Sequence, residues 1–466
     1  MLAKFILLLF FTKYIIYDMI FLDSYMKEVL RNMYYFIGIK GAGMASLASV
    51  MSDLGYKVSG SDIPKHFFTE ECLNERKIKI YDYNKDNITS DLIIVKGASI
   101  KEDNEELIKA RELNLEILEY NEMVGKLTDI FKTICVCGCH GKTTTTNMLA
   151  VGLSEELKMN YLIGDGTGYA KKYNEFFALE SCEYQRHFLA YNPYYTIITN
   201  IDLDHVDYYK DIDDLKDAYT EFANKTKKLV IACGDDEITR SIKLEKDIVY
   251  YGFNKDNNVR AVNVRYSEEG TKFDVIIDNY EYGKFDLPIY GKHQVLDALA
   301  VIAVAYYEKV DSKVINDNLS KFTGAKRRFT ITSVKDNVII DDYAHHPNEV
   351  KALIDATRQK FNDKKLVGIF QPHTFTRTKQ FASDFVKIFA TLDYIYLLDI
   401  FPAREKQEDY PDITSKIITD RLDNSEIITI DDAKKLTKYD NTAFIFMSPN
   451  DLSKLENELI RLLNGE

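Results

Sequence analysis

The segment Gly138-Cys139-His140-Gly141-Lys142-Thr143-Thr144 holds the residue types that bind nucleotide phosphates. An apolar stretch, Thr133-Ile134-Cys135-Val136, leads into it, and a helical run from Thr145 to Glu156 leads away. In such a strand-loop-helix unit, backbone N–H groups and the positive helix end cradle phosphate oxygens. The lysine neutralises the outer phosphates, and the hydroxyl after it can ligate Mg²⁺. The spacing, G-x-x-G-K-T, is two residues shorter than the usual G-x-x-x-x-G-K-T. A structural turn is the competing account of any G-K-T, and the flanking strand and helix favour phosphate.

Groups suited to a divalent metal follow. Glu180 and Glu183 come after the apolar Phe176-Phe177-Ala178-Leu179, and Asp202, Asp204, His205 and Asp207 come after a strand ending at Asn200. Strand ends face the crevice where α/β domains bind ligands. Carboxylate oxygens suit Mg²⁺, and an imidazole ligand is better accepted by Mn²⁺. A solvated acidic turn is the alternative.

Two further strand-end loops are Asp341-Asp342-Tyr343-Ala344-His345-His346-Pro347 and Gln371-Pro372-His373-Thr374-Phe375-Thr376-Arg377. His, Tyr and Arg groups converging there would orient a small zwitterion, with Arg377 pairing its carboxylate. A polar loop of satisfied histidines would read the same way. The run Cys135-x-Cys137-x-Cys139 invites a metal or redox role, but period-two spacing in a strand is also what small buried side chains give.

The elements that would position these groups read as repeated βα units. From Tyr34 the pattern is strand, glycine turn (Gly38, Gly41, Gly43) and helix, then a short strand Lys57 to Gly60 that ends at Ser61-Asp62. An acidic residue about 20 positions beyond such a turn suits a ribose or base. The spacing G-x-x-G-x-G puts Lys40 where a dinucleotide fingerprint has its middle glycine, and a lysine there could add positive charge. A tight strand-to-helix connection alone would also use these glycines. Strand candidates continue at Tyr195 to Thr199, Leu229 to Ala232, near Asn337 to Ile340, and at Leu366 to Phe370, Tyr394 to Leu398 and Ala443 to Met447. Between about 248 and 290 the pattern is β-rich, with Asp286-Leu287-Pro288 closing an antiparallel insert.

A chain of 466 residues suggests about three domains, with boundaries near 125 and 325. The net charge of −13 argues against a nucleic-acid partner. Six cysteines scattered over this length fit a reducing, cytoplasmic setting better than a disulfide framework. The segment 1–32 holds two apolar runs, Phe5 to Phe11 and Tyr14 to Leu22, each shorter than the ~20 residues that span a bilayer. It reads as an extension upstream of a true start at Met26 or Met33, with a membrane-surface anchor as the alternative and no stable insertion in either case. Nothing in the sequence specifies an oligomeric state.

Taken together and in order, these motifs resemble the Mur ligases of peptidoglycan synthesis. The resemblance rests on Phe36 to Met44, Gly60-Ser61-Asp62, Gly138 to Thr145, Leu179-Glu180-Ser181, Asn200 to His205, Gly291-Lys292-His293, Lys326 to Phe329, Asp341 to Pro347 and Phe370 to Arg377. It implies three α/β domains: a Rossmann-like UDP-sugar domain (33–125), a central P-loop ATPase-like domain (126–325) and a C-terminal Rossmann-like amino-acid domain (326–466). It also implies ATP-dependent ligation through an acyl phosphate, and the tyrosine-histidine and Gln-Pro-His segments favour UDP-N-acetylmuramate and L-alanine as substrates. A peptide-adding relative and a catalytically silent homologue are the alternatives.

By the same resemblance, Gly38, Gly41, Gly43 and Asp62 bind the UDP portion, and His140 touches the sugar's carboxylate. Gly138 to Thr144 hold ATP, with His293 and Gln294 near adenine and Arg327 near the phosphates. Thr143, Glu180 and His205 hold Mg²⁺, with Mn²⁺ acceptable, and Lys142, Glu180 and His205 carry catalysis. Tyr343, His345, His373 and Arg377 form the alanine pocket. Three residues depart from the family pattern: Cys139 replaces Thr or Ala, Cys182 replaces Asp, and Gln294 replaces Asn.

Overall fold

The computed structural model describes residues 32–465 apart from 204, 206 and 207. The expectations for the N-terminal extension before Asn32, and for Asp204 and Asp207 as metal ligands, lie outside the described residues.

The first sheet comprises β1 (Met33–Ile37), β2 (Lys57–Asp62), β3 (Lys79–Asp82), β4 (Leu92–Lys96) and β5 (Ile117–Glu119). All its pairings are parallel, in the order β3-β2-β1-β4-β5. The order reverses between β1 and β4, so the glycine turn leaves β1 at a topological switch point, where open α/β sheets bind ligands.

The second sheet includes β6 (Lys132–Cys137), β7 (Met159–Leu162), β8 (Gly168–Tyr169), β9 (Phe176–Glu180), β10 (Tyr195–Ile198), β11 (Leu229–Cys233) and β12 (Ile248–Gly252). These strands run in the order β12-β11-β10-β6-β9-β7-β8 and are parallel except for β8. Central parallel strands are covered on both faces and must be apolar throughout; β6 is buried at every position after Lys132. Because β9 and β10 flank β6, the loops after these three strands open side by side. One apolar cluster joins Phe36, Ile39 and Val95 of the first sheet region to Cys135, Phe177 and Val230 of the second.

The chain forms two compact units, one reaching Tyr251 and including Tyr307–Val310, the other holding Gly252–Tyr306 and the residues from Asp311 on. In the second unit, β13 (Val259–Tyr266), β14 (Thr271–Ile277) and β15 (Tyr280–Leu287) form an antiparallel meander. The expected antiparallel insert is therefore present and closes at Leu287. The helix Gly291–Tyr307 follows, polar in its first turns and apolar and buried from Ala298 to Ala305.

The last sheet holds β16 (Thr330–Val334), β17 (Asn337–Asp342), β18 (Lys365–Phe370), β19 (Tyr394–Leu397), β20 (Ser425–Ile427) and β21 (Thr442–Met447). Its order is β16-β17-β21-β18-β19-β20, with only β16 antiparallel. The loops after β17, β21 and β18 thus emerge together. Among the described residues, no helix is long and apolar enough to cross a membrane.

Candidate active site

The phosphate loop is locked from the side by the end of β10. Gly138 has φ +138°, and a Cβ there would overlap the Thr199 hydroxyl, so only glycine fits. Asn200 holds the loop twice: its Oδ1 accepts the His140 N–H at 2.9 Å and its Nδ2 donates to the His140 carbonyl at 2.9 Å. The Cys139 thiol adds a tether, donating to the Asp202 carbonyl at 2.9 Å and accepting the Asp202 N–H at 3.1 Å. The Cys139 side chain thus ties the loop to the acidic segment. The His140 ring lies 3.5 Å from the Asp202 carboxylate. Gly141, at φ +84°, ends the loop, and Lys142, Thr143 and Thr144 form the first turn of the helix Lys142–Leu153.

Lys142 Nζ lies 3.0 and 3.2 Å from the two carboxylate oxygens of Glu183. Glu183 is 1% exposed and Lys142 14%. Burial pushes the Glu183 carboxyl up, but Lys142 and then His205 outweigh it and hold it below the usual range. Burial pulls Lys142 down, and the Glu183 charge more than reverses this. His205 Nε2 is 3.4 Å from Glu183, with the His205 ring 4.7 Å from that of Tyr184. Beside this pair, Thr143 donates to Glu180 at 3.0 Å and the Gly164 N–H donates to its other oxygen at 2.7 Å. Lys142, Thr143, Glu180, Glu183 and His205 therefore form one cluster. The sequence placed Glu183 among metal-capable acids, but its pairing with Lys142 was not foreseen. Cys182 keeps no carboxylate at its position, and the buried acid here is its neighbour.

Cys135 and Cys137 point into the core as free thiols. Burial raises the Cys135 thiol to about 12 and pushes the Cys137 thiol well above its ordinary range too, so both remain protonated packing groups.

In the first sheet region, the Gly38 and Ile39 N–H groups donate to the Ser61 carbonyl at 2.9 and 3.0 Å. Both Asp62 oxygens accept backbone N–H groups, from Lys40 at 2.7 Å and from Ile63 at 2.8 Å. Gly41 starts the helix Ala42–Asp53, and a Cβ on Gly43 would press on the Tyr120 ring at 3.2 Å. Lys40 corrects the charge argument. Its ammonium pairs with Glu70 at 3.1 Å and donates to the carbonyls of Ile63 and Lys65, so it straps the following segment instead of facing an anion. Beneath the turn, the fully buried Glu106 accepts from the Tyr35 hydroxyl at 2.9 Å, Asn87 Nδ2 at 2.8 Å and the Ser61 hydroxyl.

The second unit holds the remaining expected residues. Burial lowers His293 to about 4, so it is neutral at pH 7. Gln294 Oε1 accepts the Tyr290 N–H at 2.9 Å. Arg327 pairs with Asp341 at 3.1 Å and donates to the carbonyls of Ser448 at 2.8 Å and Asn450 at 2.9 Å, which engages its guanidinium locally.

Tyr343, His345, His373 and Arg377 come together. The Tyr343 and His345 rings are 5.6 Å apart and the His345 and His373 rings 5.4 Å apart. Arg377 donates to His373 Nδ1 at 3.0 Å. Glu349 sits 3.3 Å from His345, and Phe401 stacks on His373 at 5.9 Å. Glu405 accepts the N–H groups of Phe375 at 2.5 Å and Thr376 at 3.1 Å, fixing the start of the helix Phe375–Phe389 that carries Arg377. Asp342 anchors the Tyr343 loop by accepting the N–H groups of Phe329 and Ala344, each at 2.8 Å. Phe401 and Glu405 were not read from the sequence, because only the pairing of β18 with β19 brings their loop here, whereas Glu349 is local, in the first turn of the helix Pro347–Lys360 that follows the Tyr343 loop.

A phosphate loop backed by two carboxylates, on a chain of parallel α/β sheets, defines an enzyme that works on a nucleoside triphosphate. The chain belongs to the Mur ligase family: the Mur ligase catalytic domain matches residues 33–132, the Mur ligase middle domain 136–305, and the glutamate ligase domain of Mur ligases 327–446. It is accordingly an ATP-dependent amide-bond ligase of peptidoglycan synthesis. Among solved structures it is similar to the UDP-N-acetylmuramate-alanine ligase MurC of Thermotoga maritima, with 25% identity, TM-score 0.76, and 93% of this chain and 99% of that one covered. It also shares the fold of a murein peptide ligase from Psychrobacter arcticus, at 20% identity and TM-score 0.71 over 93% and 99% of the two chains. A pseudomurein peptide ligase type C from Methanothermus fervidus shares it at 19% identity and TM-score 0.62 over 93% and 100%.

Proposed function

We propose that this chain joins L-alanine to the lactyl carboxylate of UDP-N-acetylmuramate, releasing ADP and phosphate. The observation that carries the choice of amino acid is the convergence of Tyr343, His345, His373 and Arg377. One guanidinium pairs the carboxylate of a small zwitterion, and the rings of His345, His373 and Phe401 adjoin one another beside it. The similarity to an alanine-adding ligase over nearly the whole chain supports the same reading. The domains in this reading are 33–125 for the UDP-sugar, 126–325 for ATP and 326–466 for the amino acid, and the setting is the cytoplasm.

Gly38, Gly41, Gly43 and Asp62 receive the UDP portion, and His140 meets the sugar's carboxylate. Gly138 to Thr144 hold the triphosphate, with His293 and Gln294 at adenine; Arg327 reaches the phosphates on leaving its Asp341 pairing. The oxygen donors Thr143 and Glu180, with His205 and Glu183 adjoining, fit Mg²⁺ and accommodate Mn²⁺. That metal would supply charge neutralisation at the γ-phosphate. Lys142 leaves Glu183 for the phosphate oxygens as the lactyl carboxylate attacks, which gives an acyl phosphate and ADP. Arg377 and the histidines hold alanine so that its amine attacks the activated carbonyl and phosphate departs. Catalysis is charge stabilisation and positioning, without a covalent enzyme intermediate.

The test is isotopic. With heavy oxygen in the lactyl carboxylate, one labelled oxygen should appear in the released phosphate for each amide formed. Unlabelled phosphate would exclude the acyl phosphate.

A further inference from the structure

One side chain joins two segments that are distant in sequence. Gln359, in the last turn of the helix Pro347–Lys360, accepts the N–H of Gly291 on Oε1 at 2.7 Å. Gly291 is the first residue of the helix Gly291–Tyr307, so Gln359 meets a helix-start donor from another element. Its Nε2 donates to the carbonyls of Ser267 at 3.0 Å and Gly270 at 3.2 Å and to the Thr271 hydroxyl at 3.2 Å. Thr271 in turn donates to the Ile289 carbonyl at 2.7 Å. This network fixes the amide orientation, since the oxygen faces a donor and the nitrogen faces acceptors.

The next residue extends the hold. Lys360 Nζ donates to the Tyr290 hydroxyl at 2.5 Å and lies 4.3 Å from the centre of that ring. The Tyr290 N–H reaches Gln294, and a Cβ on Gly291 would meet the His293 ring at 2.9 Å, so His293 folds back over the residue that Gln359 holds. Nothing in the chemistry above uses Gln359 or Lys360.

We infer that Gln359 is a positioning residue for the adenine end of the ATP site, fixing the first turn of the helix Gly291–Tyr307 and with it His293 and Gln294. This rests on the reading that His293 and Gln294 meet adenine. The phosphate loop is held by Thr199 and Asn200 and does not depend on Gln359. Loss of Gln359 should therefore weaken recognition of the nucleoside and leave recognition of the triphosphate intact.

The experiment compares ATP with inorganic tripolyphosphate, which carries the phosphates without the nucleoside, as ligands of the full-length protein with Mg²⁺ present. Gln359→Leu should raise the Kd for ATP about fivefold to tenfold, in proportion to a lost helix cap, with the tripolyphosphate Kd unchanged. The KM for ATP should rise with kcat retained. Gln359→Glu, which keeps the acceptor for Gly291, should recover part of the loss and serves as the main variant if the leucine form does not fold. An unchanged ATP Kd in both variants, or an equal weakening of both ligands, overturns the inference. A wild-type protein that binds ATP no better than tripolyphosphate overturns the adenine reading and this inference with it; ATP binding tighter in the wild type but unaltered in the variants overturns this inference alone.

Discussion

Lys142 and Glu183 form a buried ion pair, with the ammonium 3.0 and 3.2 Å from the two carboxylate oxygens and the carboxylate 1% exposed. The lysine that would hold phosphate is thus kept charged and placed by an acid that the same substrate must displace.

Removing one partner of a buried pair leaves the other charge uncompensated, so Glu183→Gln should destabilise the protein by about 3 kcal/mol or more. The pH dependence follows from the two shifts. Glu183 lies below its ordinary 4.5, so its contribution is present above that value and fades as pH falls through the lower folded value. Lys142 lies above its ordinary 10.5, so its contribution is present below that value and fades as pH rises through the higher one. The difference in Tm between wild type and Glu183→Gln should be flat from about pH 6 to 9 and narrow only as pH falls below about 4.5. A difference that vanishes at neutral pH would deny the pair its role.

Gly164 is fitted to Glu180. A Cβ at this position would lie 2.6 to 2.7 Å from the carboxylate. Gly164→Ala should push Glu180 away from Thr143, lowering kcat by about tenfold or more while raising the Mg²⁺ concentration needed for half-maximal rate. Steady-state kinetics across a Mg²⁺ series decides, and unchanged metal dependence would contradict it.

The phosphate loop, the strand-end acids and the two His-bearing loops were legible because each is a local pattern: an apolar strand, then glycine or polar residues at its C-terminal end. Partners formed by strand pairing were not legible. Glu183 meets Lys142 across 41 residues, and only the register of β6 with β9, which sets Val136 beside Glu180, places it there. Lys40 misled for a related reason. A lysine in a glycine turn suggests an anion, but the turn after β2 folds back and supplies Glu70 and two carbonyls. Asp62 was placed correctly at the end of β2, although its oxygens hold backbone N–H groups of the glycine turn and its own strand end.

Glu106 should matter to the first sheet out of proportion to its distance from the turn. Four donors converge on it: Tyr35, Ser61, Asn87 and the Asn84 N–H. Ser61 then holds Gly38 and Ile39. Glu106→Gln replaces an acceptor oxygen with a donor and leaves a buried mismatch costing roughly 1–3 kcal/mol. We expect a lower Tm and a raised KM for the UDP-sugar with the KM for ATP unchanged; equal effects on both substrates would assign Glu106 to general stability.

Arg377 binds His373 through one arm of its guanidinium. Arg377→Lys keeps the charge and loses the fork, so the KM for the amino acid should rise by about tenfold to a hundredfold while the KM for ATP holds. If the amino-acid KM is unmoved, Arg377 does not pair the carboxylate.

The most direct test of the central claim is phosphate release by the purified protein with each component omitted in turn. Release should require UDP-N-acetylmuramate, L-alanine, ATP and Mg²⁺ together, and replacing L-alanine with a cell-wall tripeptide should abolish it. Turnover with the tripeptide but not with L-alanine would contradict the account.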